Sequence, residues 1–173
     1  SSGASVPTSS DSVFFDQAGT YTVTLTGTLS CLDFNVSAGA VTFTSTASIA
    51  IGGSMSITNV TPTWSATGAI TFNATTTGKT ITTNGTSIAG NITFNGIGGA
   101  WTLQDALTIG STRTLTLSNG TLALSSYTLT AGLCSITGTS TRTLDFGTGN
   151  LTLTGNAATI FTAQTQTSLT VSG

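Results

Sequence analysis

The chain contains no histidine and no glutamate, and its only basic side chains are Lys79, Arg113 and Arg142. These gaps remove whole classes of chemistry. A serine triad needs an imidazole, a two-histidine zinc site needs its ligands, and a glutamate-based glycosidase pair needs its carboxylates. The five aspartates, Asp11, Asp16, Asp33, Asp105 and Asp145, make up the entire acidic complement and form no calcium-type loop. The two cysteines, Cys31 and Cys134, are far apart in sequence and form no Cys-x-x-Cys motif. No metal and no cofactor is therefore called for. Three scattered cations cannot neutralise many phosphates, and with a sequence pI of about 4.3 nucleic acid is not expected as a partner.

Charged residues amount to 5%, against roughly 25% in an ordinary soluble domain. A value this low raises membrane insertion and disorder as explanations. No apolar run approaches the ~20 residues that a spanning helix requires, so no membrane span is expected. Two tryptophans, Trp64 and Trp101, cannot supply the aromatic girdles of a transmembrane barrel. Disorder is opposed by the 38% hydrophobic content, which falls at a regular period.

What the chain does have is threonine, about a quarter of all residues and a good strand former. It lies in alternating runs: Thr20–Thr26, Val41–Thr46, Arg113–Ser118, Ser126–Thr130 and Leu151–Thr154. Successive strand side chains point to opposite faces, so each run puts apolar groups on one side and hydroxyls on the other. Degenerate repeats sit above this alternation. Ile70-Thr71-Phe72-Asn73 returns as Ile92-Thr93-Phe94-Asn95, and Thr112–Leu117 returns as Thr141–Phe146. Asn84-Gly85, Asn95-Gly96, Gly98-Gly99 and Asn119-Gly120 offer positions tolerant of positive φ at which a chain can turn a corner. Repeats of about 20 to 30 residues built this way predict an all-β fold, a parallel β-solenoid with short irregular coils over residues 20–173. Residues 1–19 differ in texture and read as an N-terminal arm or cap. The alternative is an antiparallel β-sandwich or jelly roll. The asparagine after each Ile-Thr-Phe either stacks as a ladder between coils or simply marks a turn.

Several stretches carry a resemblance: Pro7–Asp16, Cys31–Phe34, Ala74–Thr83 and Gly98–Asp105. Together they resemble repeat-rich β-helix structural proteins of bacteriophages and environmental bacteria, of the tail-fibre or surface-fibre type. The resemblance covers most of the chain and implies an extracellular or virion-surface structural role with no active site. Such proteins are usually longer than this chain. The chain starts at Ser-Ser-Gly with no initiator methionine or leader and stops within an alternating stretch, so a processed product or the ordered segment of something longer is expected.

The expected function is that of a non-enzymatic structural subunit, joined head to tail through strand edges to copies of itself in an extracellular filament or phage tail fibre. Val13, Phe14, Phe15, Leu169 and Val171 are the expected interface residues. Asn35, Asn59, Asn73, Asn84, Asn91, Asn119 and Asn150 open Asn-x-Ser/Thr triplets and are candidate glycan acceptors. Covalent glycan would help to keep an exterior with so few charges, in a chain of mean hydropathy +0.33, in solution. One alternative is an adhesion module that binds a receptor or cell-surface glycan. A more distant one is ice binding through the pairs Thr22/Thr24, Thr42/Thr44, Thr114/Thr116, Thr128/Thr130 and Thr152/Thr154, whose irregular spacing argues against one shared face. A depolymerase would have to use Asp105 and Asp145, which are more easily read as turn residues. Cys31 and Cys134 are read as buried small hydrophobes, and Trp64 and Trp101 as core.

Overall fold

A computed structural model describes residues 6–173. Its strands, in chain order, are β1 (Val13–Phe15), β2 (Thr20–Thr24), β3 (Leu29–Cys31), β4 (Phe34–Val36), β5 (Ala40–Thr44), β6 (Ile49–Ile51), β7 (Met55–Ile57), β8 (Thr63–Trp64), β9 (Ile70–Phe72) and β10 (Lys79–Thr82). They continue as β11 (Ser87–Ile88), β12 (Ile92–Leu103), β13 (Leu107–Ile109), β14 (Thr114–Ala123), β15 (Thr128–Ala131), β16 (Leu133–Ile136), β17 (Arg142–Asp145), β18 (Asn150–Leu153), β19 (Phe161–Ala163) and β20 (Leu169–Ser172). A single 3₁₀ turn, Gln166–Ser168, is the only helical element among the described residues.

Every strand pairing is parallel, so the chain is a β-solenoid and the antiparallel alternative is ruled out. The strands stack into three faces. The first face holds β1, β4, β7, β10, the second halves of β12 and β14, then β17 and β20. The second holds β3, β6, β9, the first halves of β12 and β14, then β16 and β19. Because β12 and β14 run through the corner between these two faces, both belong to one 13-stranded sheet. The third face is split into β2-β5-β8 and β11-β13-β15-β18. Pro62 immediately precedes β8 and has no N–H to donate, which suits the break at that point.

Alternation places the core. Second-face strands show buried, half-buried, buried patterns, and their inward residues stack coil upon coil. One row runs Leu29, Ile49, Ile70, Ile92, Leu115, Cys134, Phe161. Beside it run Cys31, Ile51, Phe72, Phe94, Leu117, Ile136 and Ala163. A single coil could not cover such a row; its neighbours do, which is the source of solenoid stability. Aromatic rings reinforce the stack. Phe72 and Phe94 lie parallel with centroids 5.1 Å apart, and Trp101 packs on Phe94 at 5.3 Å. Phe15, Phe34, Phe43 and Trp64 form a second cluster nearer the N-terminal end. Both tryptophans are core residues.

The corner between the first two faces depends on glycine. A side chain at Gly96 would collide with the Ala74 carbonyl. Gly120 has φ +84°, and a Cβ there would sit 2.6 Å from the carbonyl oxygens of Gly96 and Gly99. At the same corner the Asn119 amide donates to the Asn95 side-chain oxygen at 2.6 Å, and the strand register places Asn73 in line with them. The side-chain contact thus joins Asn95 to Asn119, which does not follow an Ile-Thr-Phe; between Asn73 and Asn95, the two asparagines that do, no side-chain hydrogen bond forms among the described residues.

The stretch 1–19 contains the first rung of the stack. β1 pairs with β4, and Val13 and Phe15 face inward, so the coils begin by Val13. Residues 7–12 precede it as a turn, with Asp11 accepting from the backbone N–H and hydroxyl of Thr8 at 2.9 and 2.7 Å.

Candidate functional site

Most of the strands with a single neighbour lie at the two ends of the stack. At the N-terminal end β1, β2 and β3 each have one strand neighbour, and at the C-terminal end the same holds for β18, β19 and β20. A sheet edge presents unpaired N–H and C=O groups, and proteins usually blunt it with lysine, proline or a bulge. None of these six strands contains a charged residue or a proline. At the C-terminal end inward positions become exposed for want of a next coil, whereas at the N-terminal end Leu29 and Cys31 of β3 stay buried and the Leu32 N–H donates to the Asp11 carbonyl at 2.8 Å. Phe161 and Val171 are 44% and 57% exposed, and Leu151, Leu153, Ala163 and Leu169 are half-buried against the core. At the opposite end Val13, Phe15, Tyr21, Val23 and Leu25 are half-buried in the same way. A cavity of about 320 Å³ lies beside them, lined by Val6, Pro7 and residues 24–29.

The expected interface residues fall at these ends but do different things. Phe15 turns its ring into the chain's own core against Phe34 and Phe43, at 5.3 and 5.1 Å. Phe14 points outward from the first face and is 64% exposed. Val171 and Leu169 lie on the final strand, a full stack away from β1. The alternation did not single out Phe161, whose place at the foot of the Leu29 row emerges only from the strand register.

Asp33, Asp105 and Asp145 are used to join coils. Asp33 accepts from the Ser54 N–H at 2.7 Å and the Ser12 hydroxyl at 3.1 Å. Asp105 accepts from the Thr83 N–H at 2.9 Å and from the Asn84 N–H. Asp145 accepts from the Ser172 hydroxyl at 2.9 Å and the Gly147 N–H at 3.3 Å. Asp105 and Asp145 engage different loops and share no partner. Among the described residues no group of three or more cysteine or aspartate side chains converges. Among the same residues no helix is long and apolar enough to cross a membrane.

Comparison with protein-family models, curated proteins and solved structures finds no match. The chain's own geometry is therefore the whole basis for a functional reading.

Arg142 is fully buried and faces carbonyls rather than an acid. Its guanidinium donates to the carbonyls of Gly138 and Ser140, both at 2.7 Å, to Gln164 at 3.2 Å, and to Thr165. It thereby ties the last coil to the one before. Cys31 and Cys134 are free and buried. They lie in adjacent second-face rows five coil steps apart, about 24 Å at ~4.8 Å per step, beyond disulfide reach. Burial pushes each thiol up to about 11.

The candidate glycan acceptors divide by what their amides do. Asn35, Asn84 and Asn119 commit the side-chain nitrogen to Val13 O, Val60 O and the Asn95 side chain. Asn59, Asn73, Asn91 and Asn150 are exposed, and their side-chain nitrogens donate to nothing among the described residues. Of the threonine pairs, Thr22/Thr24 and Thr42/Thr44 lie rung on rung, with the Thr24 and Thr44 hydroxyls 3.0 Å apart. Thr128/Thr130 sits beside Asn150/Thr152 on the other part of the third face, and Thr114/Thr116 is on the second face.

Proposed function

We propose that the chain is a non-enzymatic structural subunit that stacks head to tail with copies of itself into an extracellular filament or phage tail fibre. One observation carries this reading: the end strands of the solenoid hold no charge and no proline, and their inward apolar residues are exposed at the C-terminal end (Phe161, Val171) and half-buried in β1 and β2 at the other. A contact that joins one end to the opposite end is heterologous, and it propagates into a filament when it does not close. All strands run parallel, so a copy added along the axis meets the last coil with the strand direction used throughout the stack. The engagement of Asp33, Asp105 and Asp145 in holding loops supports a scaffold rather than a catalyst. Covalent glycan on Asn59, Asn73, Asn91 or Asn150 fits an exterior so poor in charge; an intact mass at the bare 17.2 kDa would argue against it.

Sedimentation velocity across a wide concentration range, with electron microscopy of the same samples, tests the assembly. Concentration-dependent linear polymers are expected, and a monomer throughout overturns the reading. A second reading, adhesion to a receptor or cell-surface glycan, draws support from the in-register hydroxyls of Thr22, Thr42 and Thr63 and of Thr24 and Thr44 on the third face. Glycan-array binding by a strict monomer would favour it. Thermal hysteresis in the same monomer would instead favour ice binding through that row.

A further inference from the structure

We propose that residues 6–12 act as a strap that closes the N-terminal end of the stack and gates the addition of a further copy there. This rests on the head-to-tail reading above and concerns its regulation. The two ends of the stack are not alike. At the C-terminal end Phe161 and Val171 are left exposed at inward positions. At the N-terminal end Leu29 and Cys31 of β3 are buried, although β6 is the one strand with which β3 pairs. Residues 6–12 lie against that end.

The hydrogen bonds show whose place the strap takes. On the second face, the residue after each short strand donates its N–H back to the preceding coil: Gly52 to the Cys31 carbonyl and Asn73 to the Ile51 carbonyl, both at 2.9 Å. Cys31 pairs with Ile51, which makes Leu32 the counterpart of Gly52. Among the described residues no strand comes before β3 on this face, and the Leu32 N–H donates to the Asp11 carbonyl at 2.8 Å. Asp11 therefore supplies the acceptor that a preceding coil would supply, and an added copy would have to displace it.

The strap is tied down mainly by its own turn. The Asp11 carboxylate accepts from the Thr8 N–H and hydroxyl at 2.9 and 2.7 Å, while the Asp11 N–H donates to the Thr8 carbonyl at 3.0 Å. The Ser12 hydroxyl donates to the Asp33 carboxylate at 3.1 Å, and Val6 and Pro7 wall the recess of about 320 Å³ against residues 24–29. Thr8, Ser9, Ser10 and Asp11 are nonetheless exposed. A segment with few buried contacts opens locally at far less cost than global unfolding, so the strap can lift while the coils stay folded. An incoming copy binds only the lifted form, and its apparent affinity falls with the fraction lifted.

Sedimentation velocity across a concentration series tests the gate. Asp11→Ala removes both carboxylate bonds, and Thr8→Ala removes the hydroxyl that makes one of them. Each is expected to lower the concentration at which polymers form, by about tenfold for Asp11→Ala. Asp16→Ala removes the same charge from an exposed aspartate outside the strap and is expected to leave the threshold at the parent's value. Amide hydrogen exchange in dilute, unassembled protein gives a second reading. Leu32 should exchange faster in Asp11→Ala than in the parent, with Gly52 and Asn73 unchanged, which also shows that the coils remain folded. Faster exchange at Leu32 with an unchanged threshold overturns the gate and leaves the filament standing. An unchanged Leu32 rate overturns the strap. Failure of the parent and of both strap variants to assemble overturns the gate together with the head-to-tail reading.

Discussion

Replacing Arg142 with methionine keeps most of the side chain's length and removes its charge and its donors. In the parent the guanidinium makes four hydrogen bonds to loop carbonyls: Gly138 and Ser140 before β17, and Gln164 and Thr165 before β20. A hydrogen bond from a charged donor contributes about 1.5–3 kcal/mol. Four of them are offset by the several kcal/mol needed to desolvate a guanidinium whose Nε has no partner. Removing one partner of such a buried set typically costs about 3–5 kcal/mol, a large fraction of the ~5–15 kcal/mol that stabilises a typical folded protein. In a coil stack each unit contacts only its neighbours, so the loss should stay local. Hydrogen exchange read residue by residue is therefore the informative assay. Arg142→Met should lose protection in β19 and β20 while β6 and β9 keep theirs. Arg142→Lys, with its charge but without the planar fork, should fall between them. A deficit below ~1 kcal/mol in the methionine variant, or an even loss along the chain, would refute the latch.

Gly120→Ala should destabilise by about 2–4 kcal/mol, from overpacking plus left-handed backbone strain, since its Cβ would meet two carbonyls. Gly52→Ala, whose nearest atoms lie 3.6–3.8 Å away, should be close to neutral in the same melts. Cys31 and Cys134, with thiols pushed up to about 11, should both resist a thiol reagent at pH 8 in the native protein and react in denaturant. Rapid native labelling of either would contradict their place in the core. Asp11 is held below its ordinary value of 3.8 by the Thr8 hydroxyl and then by the Thr8 backbone N–H. Its folded pKa is the depressed one, so the turn's contribution is present above 3.8 and is lost as pH falls through that lower value. An NMR titration midpoint at or above 3.8 for its carboxyl would show the contact to be absent.

Much of the fold was legible in particular residues. Thr20–Thr24 and Ala40–Thr44 alternate as read and pair side by side, and the repeated Ile-Thr-Phe segments, Ile70–Phe72 and Ile92–Phe94, are adjacent rungs of one face. The Gly98, Gly120 and Asn84-Gly85 positions all adopt positive φ. The stretch 1–19 was less legible. Val13-Phe14-Phe15 is too short to show a period, and only its pairing with β4 reveals it as a rung. The role of Arg142 was hidden for a related reason, because the carbonyls of Gln164 and Thr165 carry no sequence signal of their own.

The sequence by itself determined that this protein is β-structured, which side chains of each strand face in, and how little reactive chemistry it holds. Those properties follow from composition and from a period of two, both of which are local. Only the tertiary structure decided which strand lies on which. Coil length varies from 19 residues, Leu115 to Cys134, to 27, Leu144 to Val171. An alternation of period two is unchanged by any even shift, so it permits many registers equally well. The choice among them is made where side chains and backbone meet at the corners: Gly120 against Gly96 and Gly99, Asn119 on Asn95, Asp33 on Ser54, and Arg142 among its four carbonyls. By selecting the register, those contacts also placed Phe161 below Leu29 and so decided what each end of the stack presents.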